Sequence, residues 1–466
     1  MNVRRSLARL APVAVLALAI AGLPACASSA GDDTITLMSL WGGALQTWLV
    51  DHVLADFTKQ TGIQVRYQLD TRAIDQDLES ELQTGTQPDI AVLPSPGDLE
   101  AFAEQGALYP LDSALADQTG RYGQQWLSLE TAVQPADGGA HKYALPIASG
   151  LKSLVWYDPN QLRQLLGPTW NGALPTTWDQ LTALTNAISA HGGIPWCMGM
   201  ASTSTSGWPG TDWIEDILLH QSGPRVYEQW ADGISSWQRT PQIAGALATF
   251  GSIVANGKNV DGGLDGALLT TFDQADTPMF PPPKNQKKPT DSPPSPPCYL
   301  EHAASIGDLD TSLVPGTDYD YFPFPTINSQ YANTYEVSGD FVAMFRQSPQ
   351  AEKLIHYLAQ DSTQKEWVQA DVQGLLSPDR DVTPSDYPNP VTRRTEQLVS
   401  KASVLCFDGS DLMPPGVTTA FYQAVLTYLS DPQRYQDPTR SATLLGELDN
   451  SRAAADSAPL TYQCGQ

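Results

Sequence analysis

Residues 34–69 read TITLMSLWGGALQTWLVDHVLADFTKQTGIQVRYQL, and the fold assignment starts from this stretch. Ile35, Leu37, Ser39 and Trp41 fall on alternate positions, the period of a strand. Leu45, Trp48, Leu49, Val53 and Phe57 then recur at helical spacing, and Thr61-Gly62 supplies a stop. Ile63, Val65, Tyr67 and Leu69 alternate again as a second strand. Residues 89–93 make a short apolar strand, followed by a helix over 96–105. Strand–helix–strand alternation predicts an α/β class and a largely parallel sheet. Ligands of such sheets bind beyond the carboxyl ends of the strands, where Trp41 and Ser95 both stand.

Further along, Tyr143 to Ile147 leads through Ala148-Ser149-Gly150 to a strand over 153–157, with Gly150 as the expected hinge. Pro175-Thr176-Thr177 caps a helix over 178–191. Ser206 to Trp213 opens another helix, with Trp208 before its regular part, Pro209 in the first turn and Asp212, Glu215 and Asp216 near its positive end. Residues 281–297 hold eight prolines and read as an exposed, extended insertion. A strand over 338–345 and helices over 350–359, 364–373 and 418–429 follow, and no internal repeat is evident.

The chain has 466 residues, of which 41% are hydrophobic, enough for two or three domains with sizeable cores. It carries 51 acidic against 26 basic residues, a formal charge of -25. That charge excludes nucleic acid or an anionic membrane surface as the main partner. Only 17% of residues are charged, so this is not a charge-dominated disordered chain. Arg4, Arg5 and Arg9 precede an apolar run over 10–21, and then Leu23-Pro24-Ala25-Cys26. Residues 1–25 thus read as a secretory signal. The small residue before Cys26 resembles a bacterial lipobox, which makes Cys26 the lipid-bearing new N-terminus and 26–33 its tether. No later stretch approaches the roughly 18 apolar residues of a spanning helix.

Four cysteines then remain, Cys197, Cys298, Cys406 and Cys464, and outside the cytoplasm they should pair. Three connectivities are open. Cys197–Cys298 with Cys406–Cys464 is favoured, the second bond pinning the C-terminus. There is no Cys-x-x-Cys and no nearby His pair, so no metal site is expected.

These pieces resemble the extracellular solute-binding lipoproteins of bacterial ABC importers, in the carbohydrate-binding, maltose-binding-protein-like group. The resemblance runs over nearly the whole mature chain. It rests on the signal and Cys26, on Trp41-Gly42-Gly43, and on Leu145-Pro146-Ile147 through Val155-Trp156-Tyr157-Asp158. Ser206 to Asp216 looks like the ligand-facing helix start of many actinobacterial sugar-binding lipoproteins. Gly339-Asp340, Gly374 to Pro378, Asp411-Leu412-Met413-Pro414 and Phe421-Tyr422 complete the pattern. The chain departs from it in the proline-rich insertion and at Tyr422, where relatives often carry Trp.

The resemblance implies two α/β lobes, each with a mostly parallel sheet flanked by helices, joined by crossovers and closing over ligand. Lobe one would take 33–147 plus 330–380, and lobe two 150–328 plus 385–466. It further implies capture of a mono- or oligosaccharide, without a cofactor, and delivery to membrane permease subunits driven by a cytoplasmic ATPase. The receptor would be a monomer, lipid-anchored on the outer face of the cell membrane. Aromatic faces would cover the sugar's C–H surfaces while carboxylates and amides bind its hydroxyls. The candidate residues are Trp41, Ser95, Ser149, Trp208, Asp212, Gly339, Asp340 and Tyr422. Trp48, Trp156 and Trp213 fit apolar stripes and read as core, while Glu301 and His302 are weaker candidates for the cleft.

Three other classes compete. A secreted glycosidase would need two carboxylates across the sugar bond, yet no acid stands in a catalytic motif, and neither G-x-S-x-G nor H-E-x-x-H occurs. A surface adhesin without small-molecule binding is another. A solute-binding protein for a non-sugar ligand is the third, and a polyamine would suit acidic and aromatic walls.

Overall fold

A computed structural model describes residues 33–465 apart from 71–72, 116–119, 124–125, 127–128, 130, 134–139, 281–297, 307–311, 373, 456–459 and 461. The expected signal segment, Cys26 and the proline-rich insertion lie outside the described residues. Among the described residues, no helix is long and apolar enough to cross a membrane.

The chain lays down β1 (Thr34–Ser39), β2 (Gln64–Leu69) and β3 (Ile90–Leu93), with β1 pairing parallel to both of the others. The helical stretch between β1 and β2 ends at Gly62, whose φ of 78° is the left-handed conformation glycine adopts freely. Within that stretch Leu49–Leu54 is π-helical, a wider turn that 3.6-residue periodicity does not reveal. The short strands β4 (Thr131–Val133) and β5 (Ala140–Lys142) pair with each other. Then come β6 (Ala144–Leu151), β7 (Leu154–Tyr157), β8 (Ile194–Trp196), β9 (Cys298–His302), β10 (Asp320–Pro323), β11 (Thr334–Met344) and β12 (Val404–Phe407).

Two sheets result. The first runs β12-β11-β3-β1-β2, with β6 also on β11. The second runs β10-β7-β9-β8. The largely parallel expectation holds for β1, β2 and β3. Elsewhere the sheets are mixed: β11 pairs antiparallel with both β3 and β6 in the first, and in the second β7 pairs antiparallel with both β9 and β10 while β8–β9 is parallel. Sequence period cannot distinguish these cases, because strand direction depends on where the chain returns. The strand β12, which the expected boundaries place in the second lobe, pairs parallel with β11 in the first sheet.

The sheets are joined where the chain changes from one to the other. Only Lys152 and Ser153 separate β6 from β7. Gly150, expected to be the hinge, sits inside β6 opposite Ser338, so strand pairing fixes it and the break falls two residues later. The second passage leads from β10 into β11, and the third leaves β12 for the helix Pro415–Ser430, which packs on the helix Trp208–Ser222. These passages are laced together. Lys152 N–H donates to the Glu336 carbonyl at 2.8 Å and Asp408 N–H to the Val337 carbonyl at 2.8 Å, while Glu336 N–H donates to Ser153 Oγ at 2.8 Å.

Disulfides join Cys197 to Cys298 and Cys406 to Cys464. The first ties the segment after β8 to β9 in the second sheet, and the second ties β12 to the C-terminal segment. Trp213 and Trp156 are buried, 2% and 7% exposed, as core residues should be. Trp48 is half-buried instead, packed at the margin of the core with its ring edge-on to Trp367 at 5.4 Å.

Candidate functional site

Two groups of candidate residues form, one on each sheet's side of the crossovers. On the first side, Trp41 follows the carboxyl end of β1 and its indole N–H donates to Asp340 Oδ2 at 3.3 Å. Its carbonyl accepts the Tyr67 hydroxyl at 2.6 Å. Its ring lies 5.0 Å from Trp367, which in turn meets Trp48 edge-on at 5.4 Å. Asp340 does not stand at a strand start, as expected, but in the middle of β11. There the register slips between Asp340 and Phe341, and such a bulge re-aims a side chain away from the regular ladder. Burial pushes the Asp340 carboxyl up to about 6, against the opposing pull of the Trp41 hydrogen bond and Lys152.

The second group is set by Gly207, whose φ of 110° turns the chain into the 208–222 helix. A side chain here would collide with the Tyr422 backbone, so the helix start packs directly on the 415–430 helix. Trp208 is the first helical residue rather than a residue outside the helix, and it stays half-buried. Its ring is 5.0 Å from Phe272, and the Lys152 ammonium stands 4.6 Å above its centre. Asp212, one turn on, faces inward at 2% exposure.

Lys152 connects this helix to the crossovers. Its Nζ lies 2.8 Å from Asp212 Oδ2 and 3.0 Å from Asp408 Oδ2. Asp408 is held by the Ser410 hydroxyl at 2.8 Å and the Asp411 N–H at 3.1 Å. Glu215 Oε2 accepts from Gly409 N–H at 2.6 Å and from Ser410 N–H at 3.2 Å. Burial opposes the Lys152 ammonium, but Asp212 and Asp408, with Asp411 and Glu336 adding, more than reverse this and hold its pKa well above the ordinary value. Asp408 gains most in return: burial would raise it, yet Lys152 and the hydrogen bonds bring it below the usual range. Burial drives Asp212 up to about 6 against the pull of Lys152. Glu215, Glu336 and Asp411 are pushed well up, first by burial and then by neighbouring acids.

Oxygens of Asp212, Glu336 and Asp408 lie within 4.8 Å of one another, a spacing a metal ion could use. The Lys152 ammonium already stands among them and supplies the counter-charge. Asp212 Oδ1 is buried without a hydrogen-bond partner among the described residues, a desolvated acceptor.

The other candidates have internal tasks. Ser95 Oγ accepts the Asp98 N–H at 3.2 Å as a helix cap and donates to the Asp411 carbonyl at 2.9 Å. Ser149 pairs with Gly339 across β6 and β11 and exchanges backbone hydrogen bonds with Leu376. A Cβ on Gly339 would lie 2.6 Å from the Trp126 ring, so packing explains that glycine. Tyr422 is 8% exposed, and burial with Asp411 and Asp408 nearby raises its hydroxyl pKa. His302 is inside the second half, with Nε2 2.7 Å from Asp216 Oδ2 and its ring 4.7 Å from Trp213. Glu301 beside it is also buried. A surface hollow of about 520 Å³ lined by Thr383, Pro384, Ser385, Arg393 and Gln397 shares no residue with either group.

Lys152, Asp408, Glu215, Glu336, Tyr67 and Trp367 were not legible as site residues. An isolated Lys or Glu in a sequence has the signature of a solvated surface. The one available signal was the position of Lys152 between two apolar strands.

A model of the family described as bacterial extracellular solute-binding protein matches residues 42–365. The chain is 34% identical over 407 residues to the osmoprotective compounds-binding protein GgtB of Synechocystis sp., covering 85% of this chain and 88% of that one. It is 30% identical over 409 residues to the alpha-glucosides-binding periplasmic protein AglE of Rhizobium meliloti, covering 85% and 83%. In three dimensions it resembles the bacterial solute receptor AcbH with a TM-score of 0.74 at 17% identity, over 91% of this chain and 99% of that chain.

Proposed function

The chain belongs to the bacterial extracellular solute-binding proteins, and we propose that its ligand is a neutral mono- or oligosaccharide held between Trp41 and Asp340 on one side and Trp208, Asp212 and Tyr422 on the other. As a family member it is the solute-binding component of an ABC importer and not an enzyme. It has the two-lobed fold of those receptors. The observation that carries the ligand reading is Trp208 half-exposed, one helical turn before a buried Asp212 Oδ1 that has no hydrogen-bond partner among the described residues. An aromatic face next to a desolvated acceptor suits the alternating C–H and hydroxyl surface of a sugar. That AglE is named for alpha-glucosides supports the same chemistry, while the osmoprotective compounds in the name of GgtB are the reason a non-sugar osmolyte belongs in the test. Binding is non-covalent, and the released solute passes to permease subunits.

The test is a thermal-shift and calorimetric panel of glucosides, galactosides and oligosaccharides, with a polyamine and a zwitterionic osmolyte as controls. Ligand that binds only the folded protein raises its melting temperature by mass action. Stabilisation by at least one saccharide is expected. Stabilisation by the osmolyte or polyamine alone would replace the sugar.

The reading extends to the N-terminus: signal cleavage before Cys26, a lipid on Cys26, and a monomeric receptor tethered outside the cytoplasmic membrane. Cys26→Ser should abolish metabolic labelling with a fatty acid and release the protein to the medium. Two lobes of 33–147 plus 330–380 and 150–328 plus 385–466 are part of the same proposal. Ser95, Ser149 and Gly339 support the binding surface from behind in this reading.

A further inference from the structure

Lys152 is the feature the sugar reading leaves unused. It belongs to the two-residue link between β6 and β7, and its backbone is fixed on both sides, by the Glu336 carbonyl at 2.8 Å and by Leu154 N–H donating to its own carbonyl at 2.7 Å. Its side chain is 9% exposed. The ammonium contacts Asp212 at 2.8 Å, Asp408 at 3.0 Å and the Trp208 face at 4.6 Å. Two carboxylates and an indole face are the set of groups that recognises an alkylammonium.

We propose that Lys152 is a built-in counter-ion that fills the cation position of the solute site, so that the site takes uncharged solutes and rejects amines. This rests on the solute-site reading above. The charge pattern around the ammonium supports it. Asp212 Oδ1, Glu215 Oε1 and both Glu336 oxygens are buried without hydrogen-bond partners among the described residues. With Lys152 present, its ammonium holds the position between Asp212 and Asp408. Without it, the same oxygens become an acidic cage under an aromatic lid, and an unpaired buried charge is strongly unfavourable until a cation enters. Lys152 thereby decides ligand class although a sugar need not touch it. A polyamine, which the acidic composition and aromatic content would otherwise invite, meets a position already occupied.

Lys152→Ala removes three methylenes and the ammonium, the size of n-propylammonium. The experiment measures melting temperatures of wild type, Lys152→Ala and Lys152→Gln with n-propylammonium chloride, with spermidine, and with sodium chloride and 1-propanol as matched controls. Saccharide affinity of each protein is measured in parallel. At saturating amine the substituted proteins should gain about 2 °C or more, while wild type and both controls do not move. Saccharide affinity should fall roughly tenfold or more in Lys152→Ala and recover toward wild type with n-propylammonium. Lys152→Gln keeps much of the side-chain volume and serves if the alanine protein does not accumulate. An equal amine response in all three proteins, no response in either substituted protein, or wild type stabilised by spermidine would each overturn the inference. If no saccharide binds wild type, the ligand reading fails separately, because the amine arm reads melting temperature alone.

Discussion

Replacing Trp208 by alanine separates a binding residue from a core residue on one helix. Trp208 begins the 208–222 helix and is half-buried, whereas Trp213 lies five residues on and is 2% exposed. Trp213 meets Trp196 at 4.8 Å, His302 at 4.7 Å and Phe250 at 5.9 Å. Trp208 has Phe272 at 5.0 Å and the Lys152 ammonium at 4.6 Å. One indole face offers about 100 Å² to a ligand, and at about 25 cal/mol per Å² its removal costs about 2.5 kcal/mol of binding. That is roughly a 70-fold weaker Kd. The ligand-free protein should lose only about 1–2 kcal/mol, for a partly exposed ring and one cation–π contact. Trp213→Ala should instead lose about 3–5 kcal/mol of stability, as large core truncations do. Calorimetry with the saccharide found in the panel gives Kd, and urea unfolding of ligand-free protein gives stability. Unchanged affinity in Trp208→Ala, with a stability loss as large as that of Trp213→Ala, would refute the assignment.

Asp340 and Asp212 are both raised to about 6, so between about pH 4 and 6 the folded protein keeps protons that the unfolded chain has released. Their contribution to folding is therefore full below about pH 4 and is lost as pH rises through about 6. A ligand hydroxyl that donates to the ionised forms expels those protons, so saccharide affinity should rise from pH 5 to 7. Asp340→Asn should flatten part of the rise, and an affinity independent of pH in wild type would contradict it. Gly339→Ala would bring a methyl to 2.6 Å from the Trp126 ring and 2.8 Å from the Ala148 carbonyl. It should cost about 1–3 kcal/mol in urea unfolding, and a variant as stable as wild type would remove the packing account. The Cys197–Cys298 bond spans 101 residues, and its removal should cost roughly 4–5 kcal/mol in the chain-entropy account. Peptide mapping without reductant should find that pair together with Cys406–Cys464, and a 197–406 linked peptide would contradict both.

Local chemistry determined what neighbouring residues decide among themselves. The alternation of β1, the spacing of Leu45 to Phe57, the Gly62 stop and the Thr177 capping box all act within a few residues, so they are readable in the chain and recur in the structure. Trp208 is a partial case: its place at the helix start was readable, but the structure puts it inside the helix, one turn before Asp212, and not ahead of it. Strand direction in the second sheet, the bulge that aims Asp340, and the π-turn beside Trp48 required the returning chain and its packing. The Lys152 centre needed it most. Its ion-pair partner Asp212 lies 60 positions away in sequence, and Glu336 and Asp408 arrive on two other crossovers. Periodicity reports which face of an element is apolar. It carries no information on which polar groups from distant crossovers share one desolvated space, and that sharing sets their charge.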